Sequence, residues 1–448
     1  MGGYLGSHGG IDRQIARAAG PLMSAHYRRI ADFVTEGTGA SLPDDVRRFR
    51  AVPSDPPHVP GGSALTVEAL DDRWALPGLP PSSRDELLDA RTHDVRHEFA
   101  GNIENFIGTV KVPVGLAGPL RIDGLHAQGI FYVPLATTEA ALVASYSRGA
   151  QLLTEAGGCS AVVLNEGVSR APAFVFATVT HAAAFSVWAS QSFDAFRTAA
   201  RATTRHGELA DMRVAVEGNH VHLILEFVTG DAAGQNMTTI AANAVCRFIE
   251  EQSPVRSLRW FVEGNMSGDK KATMGSLASV RGRKVCAEIE LPAELVERRL
   301  HTTVDALVDY WRLSAVAGVM SGSIGVHGHY ANGLAAMFIA CGQDAACVAE
   351  AAVGITRFEP RPGGALYAAV TLPNLIVGTV GGGTRLPSQR ACLDIMGLSG
   401  TGRARALAEV AAAMALAGEL SITGALVAGQ FTSAHQRLAR GAVEGVQR

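Results

Sequence analysis

Four polar positions stand in apolar or small-residue surroundings, where an ionisable group is costly unless something pairs with it. They are Glu139, the Asp269-Lys270-Lys271 run, Asp344 and His435. Between them they offer carboxylate, ammonium and imidazole, the groups that move protons and stabilise developing charge. Each also has an ordinary explanation. Glu139 follows Thr137 and Thr138 at an expected helix N-terminus, where a carboxylate complements the helix dipole. GNMSGDKKAT sets two lysines beside an aspartate in a glycine-flanked loop, and most such charge runs are simply solvated. Asp344 is one acid inside the apolar helical pattern FIACGQDAACVAE and needs a partner in space, which a structural salt bridge also provides. His435 lies in QFTSAHQRLAR, with basic residues around it.

The glycine clusters are equally open. GTVGGGTRLPSQ, from Gly378 to Gln389, brings backbone N–H groups close to a phosphate or else forms a turn at a tight helix contact. TGDAAGQN, ending at Asn236, is not the GxGxxG fingerprint, and no such fingerprint follows a strand anywhere in the chain, which argues against a standard Rossmann unit.

The elements that must position these residues read as a mixed α+β chain. Residues 1–103 are richer in charge and proline, with a loop-like passage from Val52 to Gly62 and helical patterns around Leu65 to Leu70 and Arg84 to Phe99. From Glu104 strand-like runs lead through Thr137 and Thr138 into a helix. Between Ala173 and Phe227, β-branched runs (AFVFATVT, VHLILEF) flank a helix-compatible stretch from Ala182 to Arg205, as in a small inserted α+β sandwich. After Asp269 the chain is rich in Ala and Gly. Long helical patterns there at Val304–Val319, Asn332–Val353 and Arg403–Leu426 predict closely packed helices.

Composition narrows the function classes. With 448 residues the chain needs two or three structural units. Charged residues are 18% and the net charge is -3, so neither a nucleic-acid surface nor an acidic tail is expected. Six cysteines without CxxC pairs fit a reducing cytoplasm and no structural zinc or other metal. The start lacks an apolar signal segment, and the apolar stretch from Ala404 to Ala428 is interrupted by Glu409 and Glu419, so no membrane association is expected.

Taken in order, the blocks ENFIGTVKVPVGLAGPL, PLATTEAALVASYSRGA, TGDAAGQNM, GNMSGDKKAT, HYANGLAAMFIACGQDAA, LPNLIVGTVGGGT, LAGELSITGALVAG and the late histidine resemble those of 3-hydroxy-3-methylglutaryl-CoA reductases of the class I type. The likeness covers about residues 100 to 440. It implies reduction of hydroxymethylglutaryl-CoA to mevalonate and CoA by two nicotinamides, NADPH by preference, for isoprenoid synthesis. It further implies that Glu139, Lys270, Asp344 and His435 are catalytic. In those roles Lys270 stabilises the carbonyl oxyanion, Asp344 orients it, His435 protonates the CoA thiolate and Glu139 supplies a proton to the new alcohol.

By the same resemblance Asp231, Gly234, Asn236, Arg205, Gly381, Gly382 and Thr384 contact the cofactor, and Arg170, Lys271, His329 and Asn332 contact the substrate. The implied architecture is a helical N-terminal region (1–103), a large domain around a central helix (104–170 and 272–448), a ferredoxin-like cofactor domain (171–262) and a catalytic loop (263–271). Active sites lie between subunits of a homodimer or homotetramer. The family's frequent serine before the GN of the catalytic loop is Glu263 here, which adds a carboxylate near the substrate. Two readings stand beside this one: an NAD-dependent mevalonate-oxidising homologue, and a catalytically silent CoA-binding one.

Overall fold

The computed structural model describes residues 57–430. His435, and the front of the loop-like passage before residue 57, lie outside them.

Three short helices open the described chain: α1 (Val67–Trp74), α2 (Pro81–Leu87) and α3 (Ala90–Asp94). Thr66 and Asp89 cap α1 and α3 by accepting first-turn amides. The helical pattern expected from Arg84 to Phe99 is therefore split by a new start at Asp89. Leu70, Trp74, Leu88 and Phe106 form a small core of their own. Buried Arg73 ties it down by donating to the carbonyls of Pro60, Gly62 and Phe106.

The strands β1 (Val114–Gly124), β2 (Gln128–Ala136), β3 (Cys159–Arg170), β8 (Gly282–Leu291), β9 (Ile355–Pro360) and β10 (Leu366–Leu375) make the main sheet. β8 lies antiparallel between β3 and β10, and β1 joins β3 in parallel over Ile122–Gly124. Across this sheet lies α14 (Ala404–Val427), with 20 of its 24 residues buried. It is long and apolar enough to cross a membrane, yet here it is the core of the large unit.

Its two acids explain why a buried helix carries charge. Glu409 accepts from His126 N–H (2.8 Å) and Ala127 N–H (2.7 Å), clasping the β1–β2 turn. Glu419 accepts from the His329 N–H (2.8 Å) nearer the C-terminal end of the helix. Helix α4 (Leu142–Glu155) packs so close to α14 that a Cβ on Gly149 would sit 1.9 Å from the Ala417 carbonyl oxygen. The expectation of close approach by small residues is met there.

β3 continues into a second sheet, where Val168–Arg170 pair with Phe227–Leu225 of β6 (His220–Val228). There β4 (Ala173–Val175), β5 (Glu208–Glu217), β6 and β7 (Arg259–Phe261) run in spatial order β7-β4-β6-β5. Helices α5 (Val179–Gln191) and α6 (Phe193–Arg201) follow β4, and α7 (Gln235–Gln252) follows β6. The connectivity is βαββαβ around a separate core that includes Phe174, Phe185, Phe196, Leu223, Phe227 and Val245.

One expected helix is broken. The apolar pattern over Asn332–Val353 folds as α11 (Tyr330–Ala340), a 3-10 turn at Ala345–Cys347 and a short helix α12 (Val348–Ala351). The break is at Gly342, with φ +66°, where a Cβ would lie 2.3 Å from the Gly383 carbonyl oxygen. Asp344 is thereby not an acid inside a helix but the cap of the turn, accepting from Ala346 N–H at 3.0 Å. Helices α9 (Ala293–Leu300), α10 (Val304–Ser321) and α13 (Pro387–Ile395) complete the large unit, with α8 (Gly275–Ala278) following the loop of residues 263–271.

Candidate active site

Capping Asp344 leaves its second oxygen free, and Lys270 Nζ reaches it at 2.8 Å. The bond and the opposite charge hold the ammonium above the usual lysine value. Both side chains remain open, at 42% and 39% exposure, so the pair is reachable by a ligand. The charge run of the loop is thus not merely solvated. Asp269 is gripped by Arg170 Nη1 (2.9 Å) and by Arg281. Burial opposes its ionisation, but Arg281 and Arg170 outweigh that and hold it below the usual carboxylate range. Lys271 Nζ donates to the Asp269 carbonyl at 3.0 Å and stays exposed.

Behind the loop stand two residues that the sequence did not single out. Glu350, fully buried, accepts from the Lys270 N–H (3.1 Å) and from Arg281 Nε (2.6 Å). Burial pushes its carboxyl up. Its only sequence signal is an acid in the apolar stretch CVAEAAV.

Arg170 is 6% exposed, and besides Asp269 it touches Glu263 (3.5 Å) and the Gln235 carbonyl (3.3 Å). Its guanidinium therefore faces protein groups. Glu263 accepts from Ala171 N–H and Asn265 N–H, so the acid that departs from the family pattern braces the loop.

The cofactor-type segment lies alongside. Gly234, φ +75°, is the N-cap of the 18-residue α7, and the first intrahelical bond there is Thr238 N–H to Gly234 C=O at 2.9 Å. The preceding amides are open to a ligand. Gln235 Nε2 donates to Cys347 Sγ at 2.9 Å, which puts this helix start against the turn bearing Asp344. Asn236 is exposed on the first turn.

Asp231 is turned the other way, since its carboxylate accepts from Gly402 N–H (2.7 Å) and Ala404 N–H (3.2 Å) at the start of α14. The GTVGGGT block meets this segment through Thr379 N–H to Asp231 C=O (2.9 Å), and Gln343 of the GQDAA block brackets Gly378 by accepting its N–H (2.8 Å) and donating to its carbonyl (2.9 Å). Gly381 and Gly382 have positive φ with open space around them, and Thr384 closes their turn onto the Gly381 carbonyl. Arg205 is exposed and has no carboxylate partner among the described residues, whereas Arg201 and Arg197 share Glu208.

Glu139, His329 and Asn332 line a different space, a cavity of about 560 Å³ that also holds Tyr146, Arg148, Tyr310 and His327. Glu139 precedes α4, which begins at Leu142, and its N–H donates to Thr137 Oγ1 at 3.0 Å. It is therefore not the first-turn dipole partner its sequence suggested. His329 stacks on Tyr146 (5.5 Å) and meets Glu419 through Nδ1 (3.2 Å). Glu419 also accepts from Gly328 N–H, His329 N–H and Thr356 Oγ1. Burial opposes its ionisation, yet His329 and the two amides outweigh it and hold the carboxyl below the ordinary range. Lys270 and Asp344 do not line this cavity. Within one chain the structure joins Lys270 to Asp344 and leaves Glu139 in the neighbouring space.

Residues 74–440 match the family of hydroxymethylglutaryl-coenzyme A reductases. The chain is 45% identical over 344 residues to the 3-hydroxy-3-methylglutaryl-coenzyme A reductase of Haloferax volcanii, covering 75% of this chain and 85% of that one. To the enzyme of the same name from Pyrococcus horikoshii it is 43% identical over 348 residues, 76% and 84% of the two chains. The class II reductase of Streptococcus pneumoniae, solved with NADPH, superposes with a TM-score of 0.61 over 87% of this chain and 98% of that one at 19% identity, a likeness of fold. The chain belongs to the hydroxymethylglutaryl-coenzyme A reductase family, a family of oxidoreductases.

Proposed function

We propose that this protein reduces 3-hydroxy-3-methylglutaryl-CoA to mevalonate and CoA with two NADPH, in the biosynthetic direction and in a reducing cytoplasm, with which the six unbridged cysteines agree. The observation that carries the reading is the 2.8 Å pair of Lys270 with Asp344, exposed beside the glycine-capped start of α7.

The residues present suit a dinucleotide. Gly234, Asn236, Gly381 and Gly382 leave backbone amides and open space, Thr384 fixes the glycine turn, and Asp231 anchors the segment to α14. Arg205, with no carboxylate to neutralise it among the described residues, is the cation for an adenosine phosphate. When bound, the nicotinamide supplies hydride. The βαββαβ unit serves as the cofactor domain in this reading.

The chain's own groups then handle charge and protons. Lys270 stabilises the oxygen that becomes negative when the thioester carbonyl is reduced, and Asp344 keeps its ammonium charged and aimed. The hemithioacetal breaks its C–S bond, and His435 protonates the departing thiolate so that it cannot re-add. The aldehyde is reduced in turn, and Glu139 delivers the proton to the alcohol oxygen. Lys271, His329 and Asn332 hold the substrate, while Arg170 acts on it by shaping the loop through Asp269. Glu139 and Lys270 complete one site when a second copy of the chain closes the cavity, giving a homodimer or homotetramer.

The test is oxidation of NADPH dependent on hydroxymethylglutaryl-CoA, with Lys270→Ala lowering kcat at least about 1,000-fold while the fold persists. Turnover confined to NAD with mevalonate and CoA identifies the oxidising homologue. Absence of turnover with either nicotinamide identifies the silent one.

A further inference from the structure

The loop presents its lysine from an unusual backbone conformation. Lys270 has φ +55°, a region sparsely populated by residues with a Cβ and kept only where surroundings enforce it. The enforcement comes from behind. The Lys270 N–H donates to Glu350 Oε2 at 3.1 Å, and the same oxygen accepts from Arg281 Nε at 2.6 Å. Arg281 also donates to the Ser169 carbonyl at 2.9 Å and grips the Asp269 carboxylate, one residue before the lysine.

Glu350 and Arg281 are 0% and 3% exposed, so both act through the loop. Cys347, on the same turn as Asp344, also lies against the Glu350 carboxylate. Glu350 also belongs to the segment that supplies Asp344. One stretch of seven residues, Asp344 to Glu350, thus fixes the lysine's ammonium at one end and its amide at the other.

We propose that Glu350, with Arg281, is a positioning residue of the reduction, holding the Lys270 backbone so that its ammonium points at the developing oxyanion. This rests on the reading of Lys270 given above. A carboxylate there accepts the amide and, together with Asp269, neutralises the buried guanidinium.

The experiment pairs kinetics with hydrogen exchange on the full-length protein. In Glu350→Gln, kcat is expected to fall about 30-fold with both KM values within about threefold, since displacement of a catalytic group weakens the chemical step more than binding. The peptide spanning residues 266–274 is expected to exchange about tenfold faster beyond any change in global stability, with the peptides of α14 as the global reference. Glu350→Asp restores most of both. Unchanged exchange, or faster exchange with kcat within about twofold of the parent, overturns the proposal. If Glu350→Gln does not fold, Arg281→Lys, which keeps the charge and loses the fork, is read by the same two criteria. A parent protein without any turnover refutes the assigned activity; the exchange measurement then still tells whether Glu350 clamps the loop.

Discussion

Glu419 shows what a single buried charge does in this protein. Its carboxylate organises Gly328, His329 and Thr356, and its folded proton affinity is depressed. The folded state therefore binds fewer protons than the unfolded one. Its contribution to stability is complete above the ordinary glutamate value of about 4.3 and is lost as pH falls below it. Glu419→Gln is expected to lose about 3 kcal/mol at neutral pH and to show a shallower loss between about pH 5 and pH 3, as read by denaturant titration at each pH. At this scale the site was partly legible in the sequence. Glu139, Lys270 and Asp344 stood out because acids and amines in apolar surroundings require an explanation. Glu350 and Arg281 did not, because they lie 69 residues apart and neither spacing nor context announces a pair.

Elements place those side chains through contacts that leave no room. Gly149 lets α4 approach α14, and Gly149→Ala forces a Cβ to 1.9 Å from the Ala417 carbonyl oxygen. We expect a loss of about 2 kcal/mol, measured as a lower denaturant midpoint with turnover intact below it. Gly342→Ala meets both an unfavourable φ and the Gly383 carbonyl. It displaces the turn that carries Asp344, so kcat is expected to fall at least about tenfold with little change in KM for the nicotinamide. The small-residue helix packing was legible in composition. The break at Gly342 was not, because apolar periodicity runs straight through FIACGQDAACVAE, whereas the positive φ of Gly342 ends the helix and its close approach to the Gly383 carbonyl is set by tertiary packing.

On the scale of the molecule, two cores share one continuous sheet, and the loop of residues 263–271 lies against Ser169 and Arg170, where β3 passes from one to the other. The cavity with Glu139 and the pair of Lys270 with Asp344 belong to separate surroundings within the chain. If copies complete each other, mixing inactive Glu139→Gln with inactive Lys270→Ala subunits restores activity. Random pairing yields about a quarter of the parental rate when each hybrid dimer holds one intact site. No recovery after subunit exchange, demonstrated by differential tagging, shows that each chain works with its own residues.

By itself the sequence determined the chemistry available and the family, because reactive side chains within ordered blocks are local features of the chain. It also determined the mixed α+β class, through strand and helix periodicities. Only the tertiary structure decided that Asp344 is a turn cap paired with Lys270, that Arg170 is spent on Asp269 and Glu263, and that Asp231 anchors α14. Those outcomes depend on which groups meet after long-range packing. The desolvation they share assigns each charge its partner, and no local pattern encodes that choice.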